Sequence, residues 1–114
     1  MKPLLLTALM LLLSAVPACA ASTISGEQAR ELVSRRGALL LDVRTPEEFA
    51  AGHVDGAKNV PVQVLDAELA RLPAKKNQPI VVYCRSGGRS ARAAAMLGAA
   101  GFTQVHDLGA MSNW

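Results

Sequence analysis

From residue 25 onward the apolar positions alternate between two rhythms, short unbroken runs and helical spacings, and most changes of rhythm coincide with a cap or a glycine. "SGEQARELVSRRG" opens with Ser25 and has Gln28 three places on, the pairing in which two side chains satisfy each other's exposed helix-start amides. Ala29, Leu32 and Val33 then recur at helical spacing, and Gly37 ends the segment. "ALLLDV" (residues 38–43) is a continuous apolar run of strand length, which suits a strand covered on both faces. "TPEEFAAG" repeats the start signal with Thr45 as cap, Pro46 at the first helical position, Glu48 completing the box and Gly52 closing a short helix.

Further along, "HVDGAKNVP" reads as a turn followed by a very short strand near residues 57–60, and "VQVLDAELARL" as a helix over about 62–72. "PAKKNQP" is a polar loop, and "IVVY" is the most strand-like tetrapeptide of the chain, ending directly at Cys84. An alanine-rich helix starts near Ser90 and stops at Gly101, "TQVHDL" supplies a last short strand, and "GAMSNW" forms an irregular tail. Strands alternating with helices, over connections too long for hairpins, predict an α/β sandwich with a mainly parallel sheet. Ligands bind such sheets beyond the carboxyl ends of their strands, and Cys84 stands at one of those ends.

Composition changes the picture mainly at the start of the chain. The 114 residues are 51% hydrophobic and 18% charged, as expected of one small globular domain. Part of that hydrophobicity is concentrated in "MKPLLLTALMLLLSAVPACA", with Lys2 in front, an apolar stretch over residues 4–15 and small residues at 18 and 20. The stretch is shorter than the ~20 residues that span a bilayer comfortably, so residues 1–20 are expected to be an export signal removed from the working protein. "VPAC" also partly resembles a lipoprotein box, and the alternative is a membrane-anchored lipoprotein carrying lipid on Cys19. Either route places the domain, residues 22–114, outside the cytoplasm, with the bacterial periplasm expected. Without Lys2, eleven basic side chains face nine acidic ones, a net charge of +2. No lysine run or interleaved aromatics point to nucleic acid. Without Cys19 the domain has one cysteine, which cannot form an internal disulfide; in an oxidising compartment it is either an apolar filler or a working thiol.

The surroundings of Cys84 favour the working thiol. In "CRSGGR" the glycines Gly87 and Gly88 allow positive φ and close approach, so successive amides can point at a common centre. The helix that follows adds its partial positive charge to the same place. Arg85, Arg89, the amides and the helix terminus all favour the thiolate, so the pKa of Cys84 is expected to fall below the ordinary ~8.5. No histidine is adjacent in sequence to act as base; His53 and His106 can approach only through the fold. Arg92, one turn into the helix, is expected to face solvent.

Three separated stretches together resemble the rhodanese family: "LLLDVRTPEEFAAGHVDGAKNVP", "IVVYCRSGGRSARAAAMLGAAGF" and "VHDLGAMSNW". Within that family the chain is most similar to small single-domain exported sulfurtransferases. The resemblance implies a three-layer sandwich and a ping-pong transfer of sulfane sulfur. Cys84 would take sulfur from thiosulfate as a persulfide and pass it to cyanide or a thiol. It implies that the backbone of Arg85, Ser86, Gly87, Gly88 and Arg89 holds the persulfide or the incoming anion, and that the side chains of Arg89 and Arg85 attract thiosulfate. It places Asp42 and Arg44 beside the site as structural support, and it implies no metal and no organic cofactor. For Glu47 and Glu48 helix capping suffices as a reading, and for His53 a surface turn.

Two other classes are weighed beside this one. Cysteine phosphatases and arsenate reductases use a similar cradle, but the tyrosine-phosphatase signature sets its arginine one residue further on. Four residues separate Cys84 from Arg89, and Ser90 stands where that arginine would fall. The other class is a sulfur-carrier or partner-binding module whose donor is a protein persulfide or polysulfide.

Overall fold

The computed structural model describes residues 21–114, so the expected export segment and Cys19 lie outside the described residues. Five strands form one entirely parallel sheet: β1 (Ser22–Thr23), β2 (Leu39–Asp42), β3 (Lys58–Asn59), β4 (Ile80–Cys84) and β5 (Val105–Ala110), in spatial order β1-β5-β4-β2-β3. The helices are α1 (Gly26–Arg35), α2 (Pro46–Ala51), α3 (Leu65–Glu68) and α4 (Gly88–Ala99). The parallel sheet expected from the alternating rhythms is therefore present and flanked by helices on both faces.

β4 is central, and all five of its residues are buried. Its side chains alternate between two cores. Ile80, Val82 and Cys84 join Leu65, Ala93, Ala94 and Leu97 on one face. Val81 and Tyr83 join Ala29, Leu40, Val54 and Leu108 on the other. A strand wetted on neither side needs apolar residues at every position, which is why "IVVYC" reads as an unbroken run. The small side chains of Ala93 and Ala94 let α4 lie close against the sheet.

Both capping boxes form, at Ser25 with Gln28 and at Thr45 with Glu48. Elsewhere the structure departs from the sequence expectations. The helix expected over 62–72 shrinks to one turn at α3 and a 3-10 turn at Leu69–Arg71. The Val62 amide donates instead to the Val43 carbonyl at 3.0 Å, and the helix begins without a side-chain cap. The last strand runs on to Ala110, its register shifting opposite Val82 and Tyr83. Gly109 takes φ +79 there, and its amide donates to Asp107 Oδ1 at 2.8 Å. The tail beyond it forms a 3-10 turn, Met111–Asn113.

Candidate functional site

Cys84 is the last residue of β4, and α4 begins at Gly88, so the connection is only Arg85, Ser86 and Gly87. The helix starts two residues earlier than expected, and the two glycines divide the work. Gly87 adopts φ +107, the left-handed region that a side chain disfavours, whereas Gly88 is already helical. The turn at Gly87 brings its amide to 3.0 Å from Cys84 Sγ, to which it donates. The Gly87 carbonyl faces the other way and accepts from the Ala91 amide at 3.1 Å and from the Ser90 hydroxyl at 3.0 Å.

Cys84 is free and fully buried, whereas Arg85, Ser86 and Gly88 of the loop that follows are exposed. Burial alone pushes a thiol pKa up. Here the Ser90 hydroxyl and the amides of Ser90, Gly87 and Ser86 outweigh it, and the thiol is lowered below its ordinary value. The Ser90 hydroxyl donates to the Gly87 carbonyl and also favours the charged form of Cys84. A cysteine that only fills space would be raised by its burial, so this environment favours the charged form of the sulfur.

Asp42 and Arg44 form a buried network beside this loop. Arg44 Nε donates to both Asp42 oxygens at 3.0 and 3.1 Å, and Nη2 donates to Oδ2 at 2.6 Å and to the Gly52 carbonyl at 2.7 Å. The Arg44 amide adds a bond to Asp42 Oδ1 at 3.0 Å. Asn59 clamps the same turn by donating to the carbonyls of Asp42 and Arg44 at 3.0 and 2.9 Å. The Asp42 carboxylate raises the Arg44 pKa further, against the lowering effect of burial. Asp42 lies opposite Tyr83 in the sheet, and the Val43 amide donates to the Tyr83 carbonyl at 3.1 Å, so the turn is tied to the end of β4. On the opposite face from Cys84, the Tyr83 hydroxyl accepts from the Val54 amide at 3.1 Å, and burial pushes its pKa up to about 12.

One contact was not visible in the sequence. Arg89 Nη1 and Nη2 donate to Glu48 Oε1 and Oε2 at 2.6 and 2.9 Å. The capping role read for Glu48 is real but incomplete, because the same carboxylate reaches across to the cysteine loop. Adjacency of β2 and β4 makes this possible, since α2 follows β2 and α4 follows β4. Arg85 is exposed and makes no ion pair among the described residues; Arg92 is exposed, as expected. The histidines are engaged elsewhere. His106 Nδ1 pairs with Ser22 Oγ at 2.9 Å, and His53 Nδ1 meets the Phe49 carbonyl at 2.9 Å while its ring stacks on Phe49.

A buried thiol of lowered pKa at a strand end, met by amides at a helix start, defines a class of protein, and comparison with known sequences names it. The profile of the family described as Rhodanese-like domain matches residues 25–114, and the chain belongs to that family. It is 37% identical over 98 residues to the uncharacterized protein YqhL of Bacillus subtilis, covering 81% of this chain and 71% of that one. It is 38% identical over 85 residues to the thiosulfate sulfurtransferase GlpE of Ectopseudomonas mendocina, covering 75% of each. Among solved structures, the human single-domain sulfurtransferase TSTD1 is similar with TM-score 0.70 and 30% identity, over 82% of this chain and 92% of that one.

Proposed function

We propose that this protein is a sulfurtransferase that carries sulfane sulfur on Cys84, from a small anionic donor such as thiosulfate to cyanide or a thiol. The observation that carries the reading is the lowered thiol of Cys84 beneath the Gly87 amide. Relatives named thiosulfate sulfurtransferase support it.

In the first half-reaction the Cys84 thiolate attacks the outer sulfur of thiosulfate. The new S–S bond forms as the old one breaks, and sulfite leaves with the bonding pair. The anionic persulfide then occupies the space that the loop amides face, where backbone dipoles offset its charge without needing to reorganise. In the second half-reaction cyanide or a thiolate attacks the outer sulfur and Cys84 departs as thiolate. The pKa that makes Cys84 a nucleophile also makes it a good leaving group. Asp42 and Arg44 contribute by fixing the turn beside β4. In the same reading the domain works after export to the periplasm, with residues 1–20 removed or Cys19 lipidated, and the mass of the mature N-terminus distinguishes these.

The test is thiocyanate production from thiosulfate and cyanide. The expected result is turnover with parallel-line kinetics, abolished by Cys84→Ser. Turnover that survives Cys84→Ser would overturn the reading.

A further inference from the structure

The arginines around the thiol are not equivalent. Both terminal nitrogens of Arg89 are taken by Glu48. Glu48 is itself held by its own helix start: Oε1 also accepts from the Thr45 amide at 3.3 Å and the Thr45 hydroxyl at 3.2 Å. The carboxylate is thus in place before any donor arrives. Arg44 is likewise bound to Asp42. Arg85 remains as the loop cation without an ion pair among the described residues.

Resting on the sulfurtransferase reading, we infer that Glu48 is a specificity-determining residue: by neutralising Arg89 it tilts the site toward donors with one negative charge or none, the hydropersulfide and polysulfide class, and away from dianions. The reason is Coulombic. Attraction scales with the product of charges, so one unit of charge withheld from the site costs a dianion twice the free energy it costs a monoanion. Arg85 and the loop amides then receive the donor. With a hydropersulfide R–S–SH the Cys84 thiolate attacks the terminal sulfur, the S–S bond breaks, and RS⁻ leaves while Cys84 keeps S–SH. The single negative charge passes from Cys84 to the departing thiolate, and the site never holds more than one.

Binding of two anions of nearly the same shape tests this: thiosulfate, a dianion, and methanethiosulfonate, a monoanion. Both are titrated by calorimetry into the Cys84→Ser protein, where no sulfur can move. Adding Glu48→Gln is expected to tighten thiosulfate about fivefold and methanethiosulfonate about twofold, the gain of one partly exposed charge pair. Further adding Arg89→Ala is expected to cancel the preference. Should Glu48→Gln fold poorly, Glu48→Ala, which removes the same charge and keeps the residue-48 amide bonded to the Thr45 hydroxyl, is expected to shift the ratio the same way. An unchanged ratio, a shift that persists without Arg89, or no binding of either anion overturns the inference. Failure of the sulfurtransferase reading appears separately, as absent turnover in the protein that retains Cys84.

Discussion

The Gly87 amide donates to Cys84 Sγ from 3.0 Å, across a span of only Arg85 and Ser86. That contact ties the reactivity of the thiol to one backbone dihedral angle, and it makes the thiol measurable. Alkylation of Cys84 by iodoacetamide, followed against pH, is expected to show a midpoint below that of an ordinary thiol, with a modest absolute rate because the residue is buried. Ser90→Ala removes one donor from the thiolate and is expected to move the midpoint upward. Coincident profiles for the two proteins would remove Ser90 from thiolate stabilisation.

The two loop glycines are expected to respond differently to alanine. Gly87→Ala forces a side chain into φ +107 and is expected to cost about 1–2 kcal/mol and to slow alkylation by disturbing the amide. Gly88 is helical and has open space where a Cβ would stand. Gly88→Ala is therefore expected to be neutral or to stabilise by up to about 1 kcal/mol. Urea denaturation of both variants checks the contrast; equal losses would mean that the loop needs both glycines.

Removing one partner of the Asp42–Arg44 pair leaves the other charge buried alone. Asp42→Ala is expected to cost about 3–5 kcal/mol, which chemical denaturation would measure. A loss below about 1 kcal/mol, the scale of exposed ion pairs, would show that water reaches Arg44 freely.

The Glu48–Arg89 pair predicts an acid dependence. The Arg89 guanidinium, with help from Thr45, holds Glu48 at about 2 against its ordinary 4.5. Its folded pKa is depressed, so its contribution to stability is complete above 4.5 and is lost as pH falls toward 2. The stability difference between wild type and Glu48→Gln is therefore expected to be flat above that window and to shrink within it. A difference that stays constant through the window would contradict the pairing.

Local signals carried much of the fold. Ser25 with Gln28 and Thr45 with Glu48 announce their helices because caps act within one turn. "LLLD" and "IVVYC" announce buried strands because both faces are covered. The two residues of β1 carry no such signal, since a strand so short at a sheet edge has no periodicity to read. The helix expected over 62–72 is cut short by context: Val62 is captured by Val43, a partner distant in sequence. Cys84 and its loop were legible because their chemistry is written in adjacent residues. The Glu48–Arg89 contact was not, because it depends on β2 and β4 being neighbours, and strand order is not encoded in any one stretch.

Whether Cys84 carries sulfur is decided by intact-mass spectrometry of the protein before and after incubation with sulfane donors, including thiosulfate and a hydropersulfide. The expected result is a gain of one sulfur atom located on Cys84, lost on addition of cyanide as thiocyanate appears, and absent from Cys84→Ser. An unchanged mass with every donor, or sulfur gained equally by Cys84→Ser, would contradict it.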